Sequence, residues 1–330
     1  MEQELRFCTT RDGVRIAYAK VGSGPPFVKA ANWLNHLEFD WKSPIWSHFL
    51  HEFAADQTVI RYDERGTGLS DWNVDELSFD SLVDDLEAVV DSVGVERFPL
   101  LGISQGGPVA IAYAIRNPER VSHLILQGSY ARGWNRRHSS PEVIEQRMAE
   151  LTLVRLGWGQ ENPAFRQMWT SQFFPNGGDD ESRWFNELQR VSTSPEMAER
   201  ILTLLGDIDV LDLLPKLDMP VLVVHCRKDL VVPFEEGRRL ASLIPNARLL
   251  VLESANHVLL ENEPAWQVFV DEVRQFIERP TTPRLLRRKC PKCGKIYETA
   301  MNFCLEDGSA LAETDDPGSQ TGDDGPTRIL

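Results

Sequence analysis

The chain is 330 residues long, 42% hydrophobic and 26% charged, with a formal net charge of −15. This composition belongs to a water-soluble globular protein with ample apolar material for a core, and it excludes a chain that is disordered throughout. The acidic balance also argues against nucleic acid as the partner of the main body, because phosphate binding needs a basic face.

The opening residues, MEQELRFCTTRDG, are charged from the second position and lack the apolar run and small-residue cleavage site of a secretory signal. No later stretch approaches the roughly 18 uncharged apolar residues of a membrane span. A cytoplasmic protein without a membrane partner is therefore expected. In chain order, LRFCTT and VRIAYAKV flank Asp12-Gly13 and predict a hairpin with a primed turn. PFVKA and TVIRYD predict two more strands, with a helix over PIWSHFLHEFA between them. In FDSLVDDLEAVVDSVG the apolar residues Leu82, Val83, Leu86, Val89, Val90 and Val93 form a helical stripe, closed by Gly94 as C-terminal cap. FPLLGI is the fifth strand, PVAIAYAIRNP a buried helix stopped at Asn117-Pro118, and VSHLILQG the sixth strand.

Between about residues 130 and 215 the strand pattern gives way to short helical segments rich in aromatics: Trp134, Trp158, Phe165, Trp169, Phe173, Phe174, Trp184 and Phe185. This predicts an inserted helical cap with an apolar lining. PVLVVHC and RLLVLES then supply the seventh and eighth strands, separated by a helix through FEEGRRLASLI and followed by a final amphipathic helix, PAWQVFVDEVRQFIE. Alternating strands and helices predict an α/β fold with a mostly parallel eight-stranded sheet over residues 1–279. Residues 280–289 read as a linker, 290–312 as a compact cysteine segment, and 313–330 as an acidic, Gly/Pro-rich tail too polar to fold alone.

In LLGISQGGPVA a strand runs into Gly102-Ile103-Ser104-Gln105-Gly106 and a helix follows, which is the pattern of a nucleophile elbow. The turn is so sharp that side chains on both flanks of Ser104 would collide, and Pro108 falls in the first helical turn, where its missing N–H has no partner to lose. The helix N-terminus aims amide donors at developing negative charge. A serine hydroxyl needs a base, and the base needs an orienting acid. Asp229 follows the seventh strand and His257 the eighth, so both emerge at the same sheet edge as Ser104, in the order Ser, Asp, His. His36, His48, His51, His123, His138 and His225 compete as bases, and Glu253 or Asp207 as the acid. Cys8 and Cys226 read as small buried residues.

RYDERGTGLSD, LLGISQGGPVAIAYAIRNPERVSHLIL and RKDLVVPFEEGRRLASLIPNARLLVLESANHVLLENEP resemble the corresponding segments of the α/β-hydrolase superfamily (hydrolase fold 1). WLNHLEFDWKSPIW is similar to hydrolase modules fused to bacterial signalling outputs such as adenylate cyclases and transcription regulators. The resemblance implies a Ser104–His257–Asp229 triad and an oxyanion hole built from the N–H groups of Gln105 and Trp33. Ala31-Asn32 stands where the family usually has His-Gly, and Cys226 replaces a usual glycine. The expected activity is cleavage of carboxylic esters or related acyl compounds through an acyl-serine, with a small-molecule acyl substrate and no cofactor for catalysis. The altered approach to the hole leaves a second reading, a ligand-sensing module that keeps the fold and turns over slowly or not at all.

CPKCGKIYETAMNFCLEDG resembles a zinc ribbon in which Asp307 takes the place of the fourth cysteine. Cys290, Cys293, Cys304 and Asp307, with Glu306 as an alternative to the last, are the expected ligands of a structural zinc. In a chain without a secretory signal such spacing favours metal over disulfides. The basic run before it, Arg284 to Lys295, would admit nucleic acid, but the acidic end opposes this, so a protein partner is the expectation.

Overall fold

The computed structural model describes residues 1–137, 140–162, 164–279, 287–298, 304, 306–307, 309–313 and 328–329. They form two units that divide after Arg279, with Arg328–Ile329 belonging to the first.

The first unit opens with β1 (Glu4–Thr9) and β2 (Arg15–Val21), paired antiparallel from Glu4↔Lys20 to Thr9↔Arg15. The turn between them corrects the primed turn expected at Asp12-Gly13. Gly13 N–H bonds to Thr10 O at 3.0 Å and Gly13 has φ +88°, while Asp12 keeps a negative φ. A primed type I turn needs positive φ at both central residues; here only the glycine after the turn provides it, as in a turn followed by a bulge. β3 (Pro26–Lys29), α1 (Leu37–Trp41), α2 (Ser47–Ala54) and β4 (Thr58–Tyr62) follow. Then α3 (Phe79–Val93) begins at a reciprocal Ser78–Ser81 capping box and ends at Gly94, whose φ of +73° marks a left-handed cap. Its stripe Leu82, Val83, Leu86, Val89 and Val90 is buried.

β5 (Phe98–Ile103), α4 (Gly106–Arg116), β6 (Val121–Gln127), β7 (Val221–Cys226) and β8 (Ala247–Leu252) complete eight strands in the order β1-β2-β4-β3-β5-β6-β7-β8. β3 through β8 are parallel, and Arg328–Ile329 adds a two-residue ninth strand beside β8. All six residues of β7 are buried, as expected for a strand covered on both faces. The insert between β6 and β7 contains α5 (Pro141–Gly157), α6 (Ala164–Phe173), α7 (Asp179–Ser192) and α8 (Pro195–Asp207), which make the expected helical cap. α9 (Phe234–Leu243) and α10 (Pro264–Ile277) flank β8. The parallel strands bring their carboxyl ends to one edge, under the cap, where open α/β sheets bind ligands.

In the second unit, β9 (Arg287–Lys289) pairs antiparallel with β10 (Ile296–Glu298) and β11 (Ala312–Glu313). Of the expected linker, 280–286 lie outside the described residues and 287–289 form β9. Residues 314–327 of the expected tail also lie outside them.

Candidate active site

Ser104 sits between β5 and α4 with φ +51°, the only positive φ at a non-glycine position among the described residues. That left-handed conformation is strained for a side-chain-bearing residue and is held by its surroundings. Ser104 N–H bonds to Gln127 O at the end of β6 at 2.9 Å, fixing the turn to the sheet. A Cβ at Gly102 would lie 2.6 Å from both Gly106 O and Gly107 Cα, and one at Gly106 would lie 2.5 Å from Ala31 O. The turn therefore closes only with glycine on each flank.

Asp229 follows β7 and His257 follows β8. His257 Nδ1 donates to Asp229 Oδ2 at 2.7 Å, and the other carboxylate oxygen accepts the Val231 and Val232 N–H groups at 2.8 and 3.0 Å. Burial pushes the Asp229 carboxyl up, but the neighbouring His257 and His225 and these amides outweigh it and hold the group below its ordinary range. With Nδ1 committed to the carboxylate, Nε2 carries the lone pair of the neutral ring. It is buried and has no partner among the described residues. Gly128, directly after Gln127, backs both residues: a Cβ there would come 3.0 Å from His257 Cε1 and 3.4 Å from Asp229 Oδ2. The last residue of β6 and the glycine after it thus tie the serine turn to the acid and base.

The His257 loop is also braced in ways the sequence did not reveal. Glu263 accepts Ser254 Oγ at 2.5 Å, Leu260 N at 2.7 Å and Asn256 Nδ2 at 3.2 Å. From the cap, Phe173 O accepts the His257 N–H at 2.9 Å, and the Phe173 ring meets the imidazole edge-on at 5.3 Å. The competing groups are engaged elsewhere. Glu253 pairs with Arg227 at 2.6 Å, and Asp207 accepts Asn135 at 2.8 Å. His36 caps α1, His48 contacts Leu259 O, His123 contacts Arg279 O, and His51 packs on Trp41. His225 lies 3.8 Å from Asp229 but bonds Val232 O at 3.0 Å. His138 lies outside the described residues. Cys226 is buried, which pushes its thiol well above the usual range.

The residues of the two expected oxyanion donors meet through the Gln105 side chain. Trp33 N–H donates to the side-chain Oε1 of Gln105 at 2.5 Å, and Gln105 Nε2 faces Glu64 at 3.3 and 3.4 Å. Burial, and then the charge of Asp85, raise the Glu64 carboxyl to about 8, against the hydrogen bond from Gln105. Asn32 Oδ1 accepts from the Lys29 ammonium, which lies 4.9 Å over the Trp46 ring, and Asn32 Nδ2 donates to Trp33 O at 3.3 Å.

Above Ser104 lies a small cavity of about 90 Å³ that opens to solvent. Trp33, Ser104 and Gln105 line it, as do Leu151, Trp169 and Phe173 of the cap. Of the cap aromatics, Trp134, Trp169 and Phe173 line the space. The others pack against other side chains or backbone: Trp158 on Trp33, Trp184 on Phe39, Phe165 against Gly157, and Phe174 on Phe185.

In the second unit Cys290, Cys293, Cys304 and Asp307 each offer a ligand atom, all within 4.8 Å of one another. Cys293 Sγ is 3.6 Å from Cys304 Sγ, Cys290 Sγ is 3.4 Å from Asp307 Oδ2, and the Lys292 and Cys293 N–H groups point at Cys290 Sγ at 3.4 Å. Glu306 instead pairs with Lys295.

Residues 35–264 match the alpha/beta hydrolase fold family, and the chain belongs to it. It is 28% identical to the non-heme chloroperoxidase CPO-A1 of Kitasatospora aureofaciens over 77% of this chain and 92% of that protein. It is 27% identical to a putative carbamate hydrolase RutD of Pseudomonas savastanoi pv. phaseolicola over 67% of this chain and 85% of that one. Among solved structures, the esterase EaEST of Exiguobacterium antarcticum superposes with a TM-score of 0.71 at 25% identity, covering 83% of this chain and 99% of the esterase. The family and these neighbours support hydrolase chemistry in general. No helix among the described residues is long and apolar enough to cross a membrane.

Proposed function

We propose that the protein is a serine hydrolase cleaving carboxylic esters or related acyl compounds through an acyl-serine intermediate. The observation that carries the reading is the Asp229–His257 pair at 2.7 Å, which leaves a buried, unpartnered Nε2 beneath the same cap as the strained Ser104. His257 Nε2 takes the Ser104 proton as Oγ attacks the acyl carbonyl. The resulting oxyanion falls to the amides of Gln105 and Trp33, the latter once the Gln105 side chain releases it. The leaving group departs with the proton from His257, and water, deprotonated by the same nitrogen, frees the acid. Labelling by a fluorophosphonate probe and turnover of short-chain 4-nitrophenyl esters, both lost in Ser104→Ala, are the expected results; no labelling and no Ser104-dependent turnover would sink the reading.

The Trp33 N–H held by Gln105 Oε1 favours a second reading, a weakly active ligand-sensing module related to the hydrolases of signalling proteins. Ligand binding to the cavity without Ser104-dependent turnover would decide for it. The second unit, in our reading, holds a structural zinc on Cys290, Cys293, Cys304 and Asp307 and offers a surface to a protein partner. Zinc–sulfur bonds of about 2.3 Å in a tetrahedron separate the sulfurs by roughly 3.8 Å, and the spacings here fit that. About one zinc per chain in the wild type, lost in Cys290→Ser, is expected; equal negligible zinc in both would rule it out.

A further inference from the structure

The loop after β6 carries three arginines, and among the described residues only one of them lacks an acid. Arg132 pairs with Asp209 at 3.0 Å and Arg136 with Asp207 at 3.4 Å. Arg137 turns inward and lines the cavity over Ser104. Its Nε donates to Arg132 O at 2.6 Å and its guanidinium lies 4.9 Å over the Tyr130 ring, so backbone and aromatic face fix its plane. No carboxylate among the described residues lies within ion-pairing distance of it. Glu150, the acid that lines the cavity, is held by Arg147 at 2.6 Å and Gln146 at 3.0 Å. Glu236, which acts on Arg137 through its charge, pairs with Arg239 at 3.3 Å. Burial pulls the guanidinium below its usual range, as expected of a desolvated cation short of a counter-ion.

We infer that Arg137 is a specificity-determining residue that binds an ionised carboxylate on the substrate, remote from the scissile bond, so that the preferred substrates are esters or lactones carrying a free carboxylate. This rests on the serine hydrolase reading above. The two terminal guanidinium nitrogens present a planar fork that matches a carboxylate in a way an ammonium cannot. The cavity lining carries Arg137, Arg147 and Glu150, one positive charge in excess, which balances a monoanion. The rest of the lining is uncharged and would leave the second charge of a phosphate dianion uncompensated, and a buried unpaired charge is strongly disfavoured.

The test compares mono-4-nitrophenyl glutarate with its methyl ester, two acyl donors that differ only in the free carboxylate. In the wild type kcat/KM should favour the anion by about 10- to 100-fold, the range of a charge-assisted hydrogen-bonded contact. In Arg137→Gln that ratio should fall to about one, through KM, while Arg137→Lys keeps the charge and an intermediate ratio. Calorimetry on Ser104→Ala supplies a readout free of turnover: monomethyl glutarate should bind more tightly than dimethyl glutarate, and the added Arg137→Gln change should abolish the difference. Equal Ser104-dependent turnover of both esters, or a ratio unchanged in Arg137→Gln, overturns the inference and leaves the hydrolase reading intact. Anion-selective binding through Arg137 without any turnover would strike the hydrolase reading and support Arg137 as the anion site.

Discussion

Gln105 Oε1 accepts the Trp33 N–H at 2.5 Å, so a side chain of the serine turn occupies the amide that the oxyanion of an acyl transfer would need. Oxyanion donors act by being ready where charge develops, and a donor already satisfied must first be released. Gln105→Ala removes the competing acceptor and leaves both backbone amides in place. Its kcat on 4-nitrophenyl butyrate should rise about 5- to 30-fold, the equivalent of one hydrogen bond of about 1–2 kcal/mol. A fall of similar size would mean that the side chain buttresses the Trp33 loop and does not occlude it.

Asp229 holds the imidazole through one short bond while its other oxygen is anchored by two amides. Asparagine would keep the shape but can present an N–H to the ring, favouring the tautomer in which Nε2 is protonated and useless as a base. Asp229→Asn should lower kcat by about 10³- to 10⁴-fold with KM changed only a few-fold. Steady-state ester kinetics with Ser104→Ala as the blank would measure it, and a loss under tenfold would remove Asp229 from the acid's role.

The order of strands and the loops that bear Ser104, Asp229 and His257 were readable because buried parallel strands are continuous apolar runs, and each such run ends at the same sheet edge. Gly94 was readable as a cap because its demand is local. What the sequence concealed depends on side-chain directions set by distant packing. Gln105 entered only as a backbone donor, since nothing along the chain tells its amide to lie between Trp33 and Glu64, 72 and 41 residues away. The Phe173 carbonyl on His257 and the Glu263 brace joined segments by tertiary contact in the same way. The hairpin turn was misjudged for a different reason: Asp-Gly serves both a primed turn and a turn with a following bulge, and the register of β1 on β2 decides between them.

Glu64 lies in a crowd of buried acids. Burial raises Asp63, Asp85 and Asp40 each to about 6, and raises Glu64 to about 8. A carboxyl whose pKa is higher folded than unfolded binds its proton more tightly in the native state, so its contribution is fully present below the unfolded value and is lost as pH rises through the folded one. These groups should therefore cost the protein stability as pH rises from about 4 to about 8. Glu64→Gln removes the largest of these titrations and should flatten the decline by an amount on the order of a few kcal/mol. Urea midpoints at pH 5, 6.5 and 8.5 would show it, and parallel profiles for the two proteins would contradict it.

Arg65 is fully buried and binds two acids: Asp85 through Nη2 at 2.7 Å and Nε at 3.0 Å, and Asp12 through Nη1 at 2.7 Å. A further bond to Glu76 O at 3.2 Å ties the loop after β4 to the segment before α3. The same loop carries Glu64, so Arg65 fixes the residue that faces Gln105. Arg65→Met keeps much of the volume but strands Asp85, which is itself fully buried, with no counter-charge. Breaking a buried pair from one side costs about 3–5 kcal/mol, because the partner keeps its desolvation penalty without the attraction that offset it. Arg65→Met should accordingly lower stability in urea by that amount, and Arg65→Met with Asp85→Asn should recover a substantial part, since the uncompensated charge goes with the second change. A single-variant loss below about 1 kcal/mol, or a double variant no more stable than the single, would show that the loop is held by its apolar and backbone contacts and not by this ion pair.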